Sequence, residues 1–487
     1  MTAAESDTFD VIVIGGGPPG ENAADYATKG GLTAAIVEHE LVGGECSYWA
    51  CIPSKALLRP VELASQARAL PGVPIGDELD VAKVLERRDY FAGHDDSSQV
   101  KWAEGAGIRV IRGHARLAGV CEVSVDRTDG SSLTLRARQA VVLATGTSAT
   151  VPPMPGLREA NPWTSRDVTN LHEIPERIIV IGGGVVGCEA TVWLNGLGAH
   201  VTLAARDPRL LPRNEPFAGD LLALALRESG VDVRLNADIT EVRRGPIEMS
   251  HEGRLRGTPV TVVIDGNNVV ADEVLIAAGR TPRSADLGLD VVGLEPGGYV
   301  ETDDTMLVKG VDGGWLYAVG DITRRALLTH MGKYQARVCG DVIAARAKGE
   351  SIDAPRFRAT SDHGAVPQVT FTDPQVASVG LSEAEAIDAG HEVRCVEYEI
   401  GNVSGAALMR ENYSGRAKLV VDVPSQTLLG ATFVGPEVGE LVHAATVALV
   451  GKVTLDTLWH AVPSFPTMSE IWLRLLETWR STEPATD

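Results

Sequence analysis

The chain has 487 residues, 44% of them hydrophobic, with 44 Lys and Arg against 65 Asp and Glu, a net charge of -21. The length suggests about three domains, and the acidic balance argues against nucleic acid or an anionic membrane as a main partner. Six cysteines (Cys46, Cys51, Cys121, Cys188, Cys339, Cys395) are too few for a disulfide scaffold. No signal peptide shows at the start, and no stretch nears the roughly 18 apolar residues of a bilayer span, so a soluble cytoplasmic protein is expected.

Residues 10–14, Asp-Val-Ile-Val-Ile, read as a buried strand. It runs into Gly15-Gly16-Gly17-Pro18-Pro19-Gly20, a G-x-G-x-x-G turn, then a helix over 21–28 and a second strand over 32–37 that ends at Glu38. Glycines at Gly15, Gly17 and Gly20 let a pyrophosphate approach the helix N-terminus, and an acid at about this distance binds a ribose. The unit reads as a dinucleotide site.

Next comes Gly43-Gly44-Glu45-Cys46-Ser47-Tyr48-Trp49-Ala50-Cys51-Ile52-Pro53-Ser54-Lys55. The four-residue spacer suits one helical turn, with both sulfurs on one side. Such a pair can cycle between dithiol and disulfide, and Lys55 adds charge that favours thiolate. A zinc half-site or two inert core cysteines would be the alternatives. Zinc needs more ligands, and residues 30–70 supply only His39 as a nitrogen ligand. The flanking motifs favour the redox pair.

Residues 60–105 read as helical, and 113–137 as a small sheet in which His114 is a packed or surface residue. Residues 141–143 form another buried strand, ending in Ala144-Thr145-Gly146, and Pro152, Pro153 and Pro155 mark a linker. The pattern then repeats. A strand over 177–181 enters Gly182-Gly183-Gly184-Val185-Val186-Gly187, 167 residues after the first copy, and the strand 200–205 leads to Arg206 where the first copy has Glu38. A carboxylate there repels the extra phosphate of NADP, whereas an arginine binds it, with Arg209 placed to assist. NADPH is therefore expected in preference to NADH. Gly279 closes the second unit, and a strand at 316–319 ends in Gly320-Asp321, an acid able to accept a hydrogen bond from a cofactor hydroxyl. A helix over 329–346 follows. From residue 357 the texture becomes α+β, with strands at 366–371 and 417–423, one helix over 438–450 and no nucleotide motif.

Taken together, these motifs and Val366-Pro367-Gln368-Val369-Thr370-Phe371-Thr372-Asp373-Pro374 resemble the pyridine nucleotide–disulfide oxidoreductases, over residues 8–478. The closer likeness is to the group of dihydrolipoamide dehydrogenase, glutathione reductase and mercuric reductase. The resemblance implies an α/β fold with two Rossmann-like domains and an α+β dimerisation domain. Residues 1–155 and 286–356 would hold FAD, 156–285 NAD(P)H, and 357–487 would make a homodimer. It implies FAD contacts from Gly15, Gly17, Gly20, Glu38, Gly44, Lys55, Ala115, Thr145, Gly146, Gly320 and Asp321. Gly182, Gly184, Gly187, Arg206 and Gly279 would contact NADPH. Cys51 would be the thiol near the flavin and Cys46 the thiol facing substrate, with Lys55 and Glu189 as an ion pair beside the flavin. No metal ligand set is implied.

The chain also departs from that family. Its disulfide reductases carry His-Pro-Thr-x-x-Glu, a base donated across the dimer, whereas this chain reads Phe465-Pro466-Thr467-Met468-Ser469-Glu470. Glu470 is kept, but phenylalanine cannot transfer a proton, and a general base contributes roughly 100- to 10,000-fold. His460 reads as a surface residue and His443 as an interface or core residue. Tyr48 and Trp49 are bulky for the spacer, either stacking on substrate or packing inward. Val185 stands where glutathione reductases carry a tyrosine gate. The tail from 477 has no cysteine pair of the mercuric reductase kind. The expected enzyme passes electrons from NADPH through Cys46–Cys51 to a small acceptor needing little proton relay, quinone-like, another small molecule or a metal ion. The alternative is a dihydrolipoamide dehydrogenase-like reductase. A flavin-binding scaffold with decayed chemistry is disfavoured by the intact cysteines, Lys55 and Glu189.

Overall fold

The structure, a computed structural model, describes residues 7–76 and 78–481. The polar start at 1–6 and the cysteine-free end beyond 481 lie outside the described residues. The chain divides into two compact units, one built from residues up to 52, 92–148 and 279–362, the other from 53–91, 149–278 and 363 onward.

The first unit is organised on a sheet whose core strand, Thr8–Ile14, is apolar on both faces and pairs in parallel with Ala34–Glu38 and Ser132–Leu143. Ile108–Arg112 and Leu316–Ala318 extend the parallel part at its two ends. A continuous β-branched run suits a strand covered on both sides. Ser132–Leu143 changes character along its length. Its first half alternates in exposure and pairs antiparallel with Glu122–Asp126, which pairs with His114–Gly119; its last four residues are fully buried in the parallel sheet. The small sheet expected over 113–137 is thus continuous with the strand expected at 141–143. Helices Pro18–Lys29 and Thr329–Ala347 cover one face and pack tightly. A Cβ on Gly340 would stand 2.6 Å from Tyr26 Cβ, and one on Gly332 2.7 Å from Pro19 Cγ.

The second unit repeats the theme. Arg177–Ile181 lies between His200–Ala204 and Glu273–Ile276 in a parallel sheet that Asp232–Arg234 completes. Ile239–Arg244, Val260–Ile264 and Asn267–Ala271 form an antiparallel sheet beside it. The C-terminal part is a five-stranded antiparallel sheet in the order Gln368–Thr370, Gln375–Gly380, Thr427–Gly435, Arg416–Asp422, Val393–Glu399. Helices Leu441–Val450 and Glu470–Ser481 bury Ala445, Ile471 and Leu475 with Phe433 of that sheet. The helix expected over 438–450 begins as a 3-10 turn at Val438–Glu440.

Candidate active site

Each glycine loop is dictated partly by the protein and partly by what must lie outside it. Gly15 has φ +105°, and a Cβ there would stand 2.5 Å from Ala144 O; a Cβ on Gly20 would stand 2.0 Å from Gly15 O. Gly182 and Gly187 repeat this, at 2.4 Å from Ala277 O and 2.0 Å from Gly182 O. These four are required by the fold. The middle glycines are not. A Cβ on Gly17 would meet only Pro19 Cδ at 3.9 Å, and one on Gly184 would meet nothing within 4 Å. Open space over the N-termini of helices Pro18–Lys29 and Val185–Gly196 is what a pyrophosphate needs. The residues fit two dinucleotides.

Glu38 is buried at the end of its strand and braces the first loop, accepting Gly16 N–H at 2.6 Å and Glu40 N–H at 2.8 Å. Burial works against its charge, but His39 at 3.2 Å and these amides together hold the carboxyl below its usual range. On the other side of the same sheet, Asp321 accepts a hydrogen bond from Thr147 Oγ1 at 2.8 Å, and Arg280 Nε donates to Thr147 at 2.9 Å. Burial raises Asp321, with Thr147 and Arg280 opposing. Thr145 Oγ1 donates to Arg283 O at 2.8 Å, and Gly146 sits at φ +68°. Ala115 is buried on strand His114–Gly119, and Gly279 has φ +129°.

The cysteine segment differs from expectation. Cys46 lies on a short helix, Gly44–Tyr48, and Cys51 opens the next, Cys51–Arg68; the chain breaks between them at Trp49 and Ala50, so the spacer is not one helical turn. Trp49 and Tyr48 turn inward and are buried, packing on each other and on His94, with Trp49 and His94 centroids 5.2 Å apart. Tyr48 donates to Val42 O at 3.1 Å. Packing, not an exposed aromatic platform, is their role. Gly44, at φ +54°, lets this short helix touch the first glycine loop, since a Cβ there would stand 2.9 Å from Gly17 Cα. Arg283 clamps it by donating to Glu45 at 2.7 Å.

The sulfurs of Cys46 and Cys51 are hydrogen-bonded to each other, which together with burial pushes Cys46 up. Cys51 Sγ lies 3.3 Å from Thr329 Oγ1, at the start of helix Thr329–Ala347. Cys188 and Cys339 are fully buried apart from this pair. Among the described residues no cluster of His, Cys, Asp and Glu has the makings of a metal site.

In the second unit Lys55 Nζ donates to Glu189 Oε2 at 2.7 Å and lies 4.8 Å from the centre of the Phe371 ring. Glu189, on helix Val185–Gly196, is buried and also accepts Phe371 N–H at 2.9 Å. Val185 is half-buried in the first turn of that helix. Arg206 is exposed just past strand His200–Ala204, while Arg209 is drawn to Asp220 at 3.2 Å. Phe465 is 74% exposed. Glu470 is buried; one oxygen holds Arg474 Nη2 at 2.6 Å, and the other is enclosed with no partner among the described residues. His460 and His443 are both exposed on this subunit.

The structure therefore joins the sulfurs to Thr329, Asp321 to Thr147 and Arg280, and Glu45 to Arg283. None of these partners was legible from spacing.

Residues 9–339 match the model of the pyridine nucleotide-disulphide oxidoreductase family, and residues 366–475 match its dimerisation domain. The chain belongs to this family. It is a pyridine nucleotide-dependent flavoprotein oxidoreductase, and it carries the family's dimerisation domain. Dihydrolipoyl dehydrogenase of Chlamydia muridarum is 30% identical over 474 residues, covering 96% of each chain. Mercuric reductase of Staphylococcus aureus is also 30% identical, over 95% of this chain and 81% of its own. The Cu(II) complex of the HOCl-induced flavoprotein disulfide reductase RclA from Escherichia coli superposes with a TM-score of 0.81. It covers 96% of this chain and 99% of its own at 24% identity, a likeness of fold. The α/β architecture of two dinucleotide folds and a dimerisation domain is thus that of the family. No helix among the described residues is long and apolar enough to cross a membrane.

Proposed function

We propose that this oxidoreductase takes electrons from NADPH and delivers them through Cys46–Cys51 to a small acceptor that needs little proton relay, quinone-like, another small molecule or a metal ion. The observation that carries the reading is Phe465, a solvent-facing ring in place of a base, while Glu470, five residues on, keeps a buried oxygen with no partner among the described residues. An aliphatic disulfide leaves as a thiolate that must be protonated, so it suffers most from a missing base. A quinone or metal ion has no such leaving group.

FAD, when bound, supplies the hydride- and electron-carrying chemistry. In this reading Gly15, Gly17, Gly20, Glu38, Gly44, Ala115, Thr145, Gly146, Gly320 and Asp321 hold it on residues 1–155 and 286–356. Lys55, fixed by Glu189, sets a positive charge there. Gly182, Gly184, Gly187, Arg206 and Gly279 hold the nucleotide on 156–285, with Arg206 free to meet the 2'-phosphate. Residues 357–487 make a homodimer, and the enzyme works in the cytoplasm. Cys51, beside Thr329, is the thiolate that stays; Cys46, held as a neutral thiol, passes electrons outward.

A second reading, an NADH-linked dihydrolipoamide dehydrogenase, is favoured by the dihydrolipoyl dehydrogenase relative that covers 96% of this chain. Anaerobic titration with NADPH and with NADH, followed by turnover with a quinone and with lipoamide, separates the two. NADPH reduction with a long-wavelength thiolate–flavin band and faster quinone turnover is the expected result. Faster NADH and lipoamide turnover would overturn it.

A further inference from the structure

One buried titratable group of the first unit takes no part in the chemistry proposed for the sulfurs. Glu21 stands in the first turn of helix Pro18–Lys29, and its Oε1 is closed from solvent with no hydrogen-bond partner among the described residues. Three helix starts meet around it. Pro19 is pressed on Gly332, the neighbour of Lys333, and Gly17 is pressed on Gly44, two residues before Cys46. Thr329, one turn before Lys333, touches Cys51. Burial raises Glu21 from 4.5 to about 7, against the pull of the Lys333 ammonium. The same ammonium acts on Cys46. From the short helix Gly44–Tyr48, the Tyr48 phenol, raised mainly by burial, also feels the charges of Asp96, Glu21, Asp95 and Arg112. Carboxyl and sulfur share one cation.

We propose that Glu21, acting through Lys333, is the charge-balancing positioning residue of the Cys46–Cys51 centre, binding a proton when the disulfide is reduced and releasing it on reoxidation. This rests on the reading of that pair as the redox centre. Two electrons and one proton, the equivalent of the hydride from NADPH, break the S–S bond and leave a thiol on Cys46 and a thiolate on Cys51. The new negative charge, on the sulfur hydrogen-bonded to Cys46, competes for the field of Lys333. Glu21 loses its share and binds a second proton, drawn from solvent. On reoxidation two electrons leave, the S–S bond re-forms and both protons are released. A quinone becoming a hydroquinone consumes two electrons and two protons, the number stored.

The test uses the holoenzyme, wild type and Glu21→Gln, each oxidised and then reduced with one equivalent of NADPH. Infrared difference spectra should show a carboxylic-acid carbonyl band rising on reduction in the wild type, shifting in D2O and absent from E21Q. Proton uptake from weak buffer near pH 7 should fall in E21Q by up to about one per centre. Should E21Q fail to bind FAD, Lys333→Met serves instead: without the cation Glu21 is protonated in both states, and the difference band vanishes. Identical bands and uptake in wild type and variant would overturn the proposal. Thiol labelling separates the two ideas. Two reactive thiols without the band sink the role of Glu21 alone, whereas no thiols in the reduced wild type sink the redox reading and this role with it.

Discussion

Replacing Phe465 with histidine is expected to turn a poor disulfide reductase into a better one. The Phe465 side chain is 74% exposed, so the exchange removes little burial and should change stability by less than about 0.5 kcal/mol. Five residues on, Glu470 is held at the start of helix Glu470–Ser481 with one oxygen on Arg474 at 2.6 Å and the other enclosed and unpartnered. That second oxygen is an acceptor able to orient a ring N–H. A general base is worth roughly 100- to 10,000-fold. Arg474 already claims half of the orienting carboxylate, so the gain falls at or below the low end: about 10- to 100-fold, or about 1.4 to 2.7 kcal/mol of barrier. The assay is steady-state NADPH oxidation with lipoamide and, in parallel, with a quinone. Lipoamide turnover should rise while quinone turnover stays within about twofold, because only the disulfide needs its leaving thiolate protonated. Wild-type turnover as fast with lipoamide as with quinone, or no gain in F465H with both thiols intact, would refute the reasoning.

Four further outcomes are expected. Glu189→Gln should lower thermal stability by only about 1 kcal/mol, since the Lys55 side chain is 36% exposed and water replaces part of the lost pairing, whereas a fully buried pair would cost about 3 to 5; melting curves decide. Arg206→Glu should weaken NADPH about 10- to 100-fold relative to NADH by removing a charge-assisted bond, read as the ratio of the two KM values. Glu21→Gln should not change stability below about pH 4.5 and should raise it increasingly toward pH 8. The folded carboxyl holds a proton up to about 7 that the unfolded chain loses near 4.5, so wild-type stability falls across that window by at most about 3 kcal/mol; parallel melts at about pH 5 and pH 8 measure it. Lys418→Met should cost about 3 to 5 kcal/mol, because Lys418 holds the buried Glu215 at 2.9 Å and Glu383 at 2.6 Å, with the NADPH titration of the sulfurs unchanged.

The glycine loops were legible because their logic is local. Gly15 and Gly20 are fixed by atoms of their own strand–turn–helix unit and one neighbouring strand, so spacing alone carries the constraint. Ser132–Leu143 looks like two pieces in the sequence because its pattern changes from alternation to continuous burial where it changes partners. The cysteine spacer misled for a similar reason. Four residues suit a helical turn, but burying Tyr48 and Trp49 against His94 bends the chain there instead. Thr147 meets Asp321 across 174 residues and Arg280 across 133, and Thr329 meets Cys51 across 278. Periodicity has no access to contacts of that separation.

Three lysine–carboxylate groups in the chain show which charges can respond to chemistry. Lys418 is buried and paired with three carboxylates, Glu397 at 3.9 Å being the third, and a cation held that completely gains nothing by shifting when a nearby charge changes. It acts as a brace. Lys55 has one carboxylate and an aromatic face, and is partly open to water, so its charge is positioned but still felt by a neighbour. Lys333 acts on Glu21 and on Cys46 together, and one oxygen of that carboxyl is left without any hydrogen bond. An enclosed, unsatisfied acceptor costs about 1 to 3 kcal/mol, a penalty that protonation relieves by reducing the charge to be solvated. The incomplete pairing of Glu21 is therefore the property that lets it follow the electron count of the sulfurs, and a better-satisfied carboxylate at the same place would be more stable and inert.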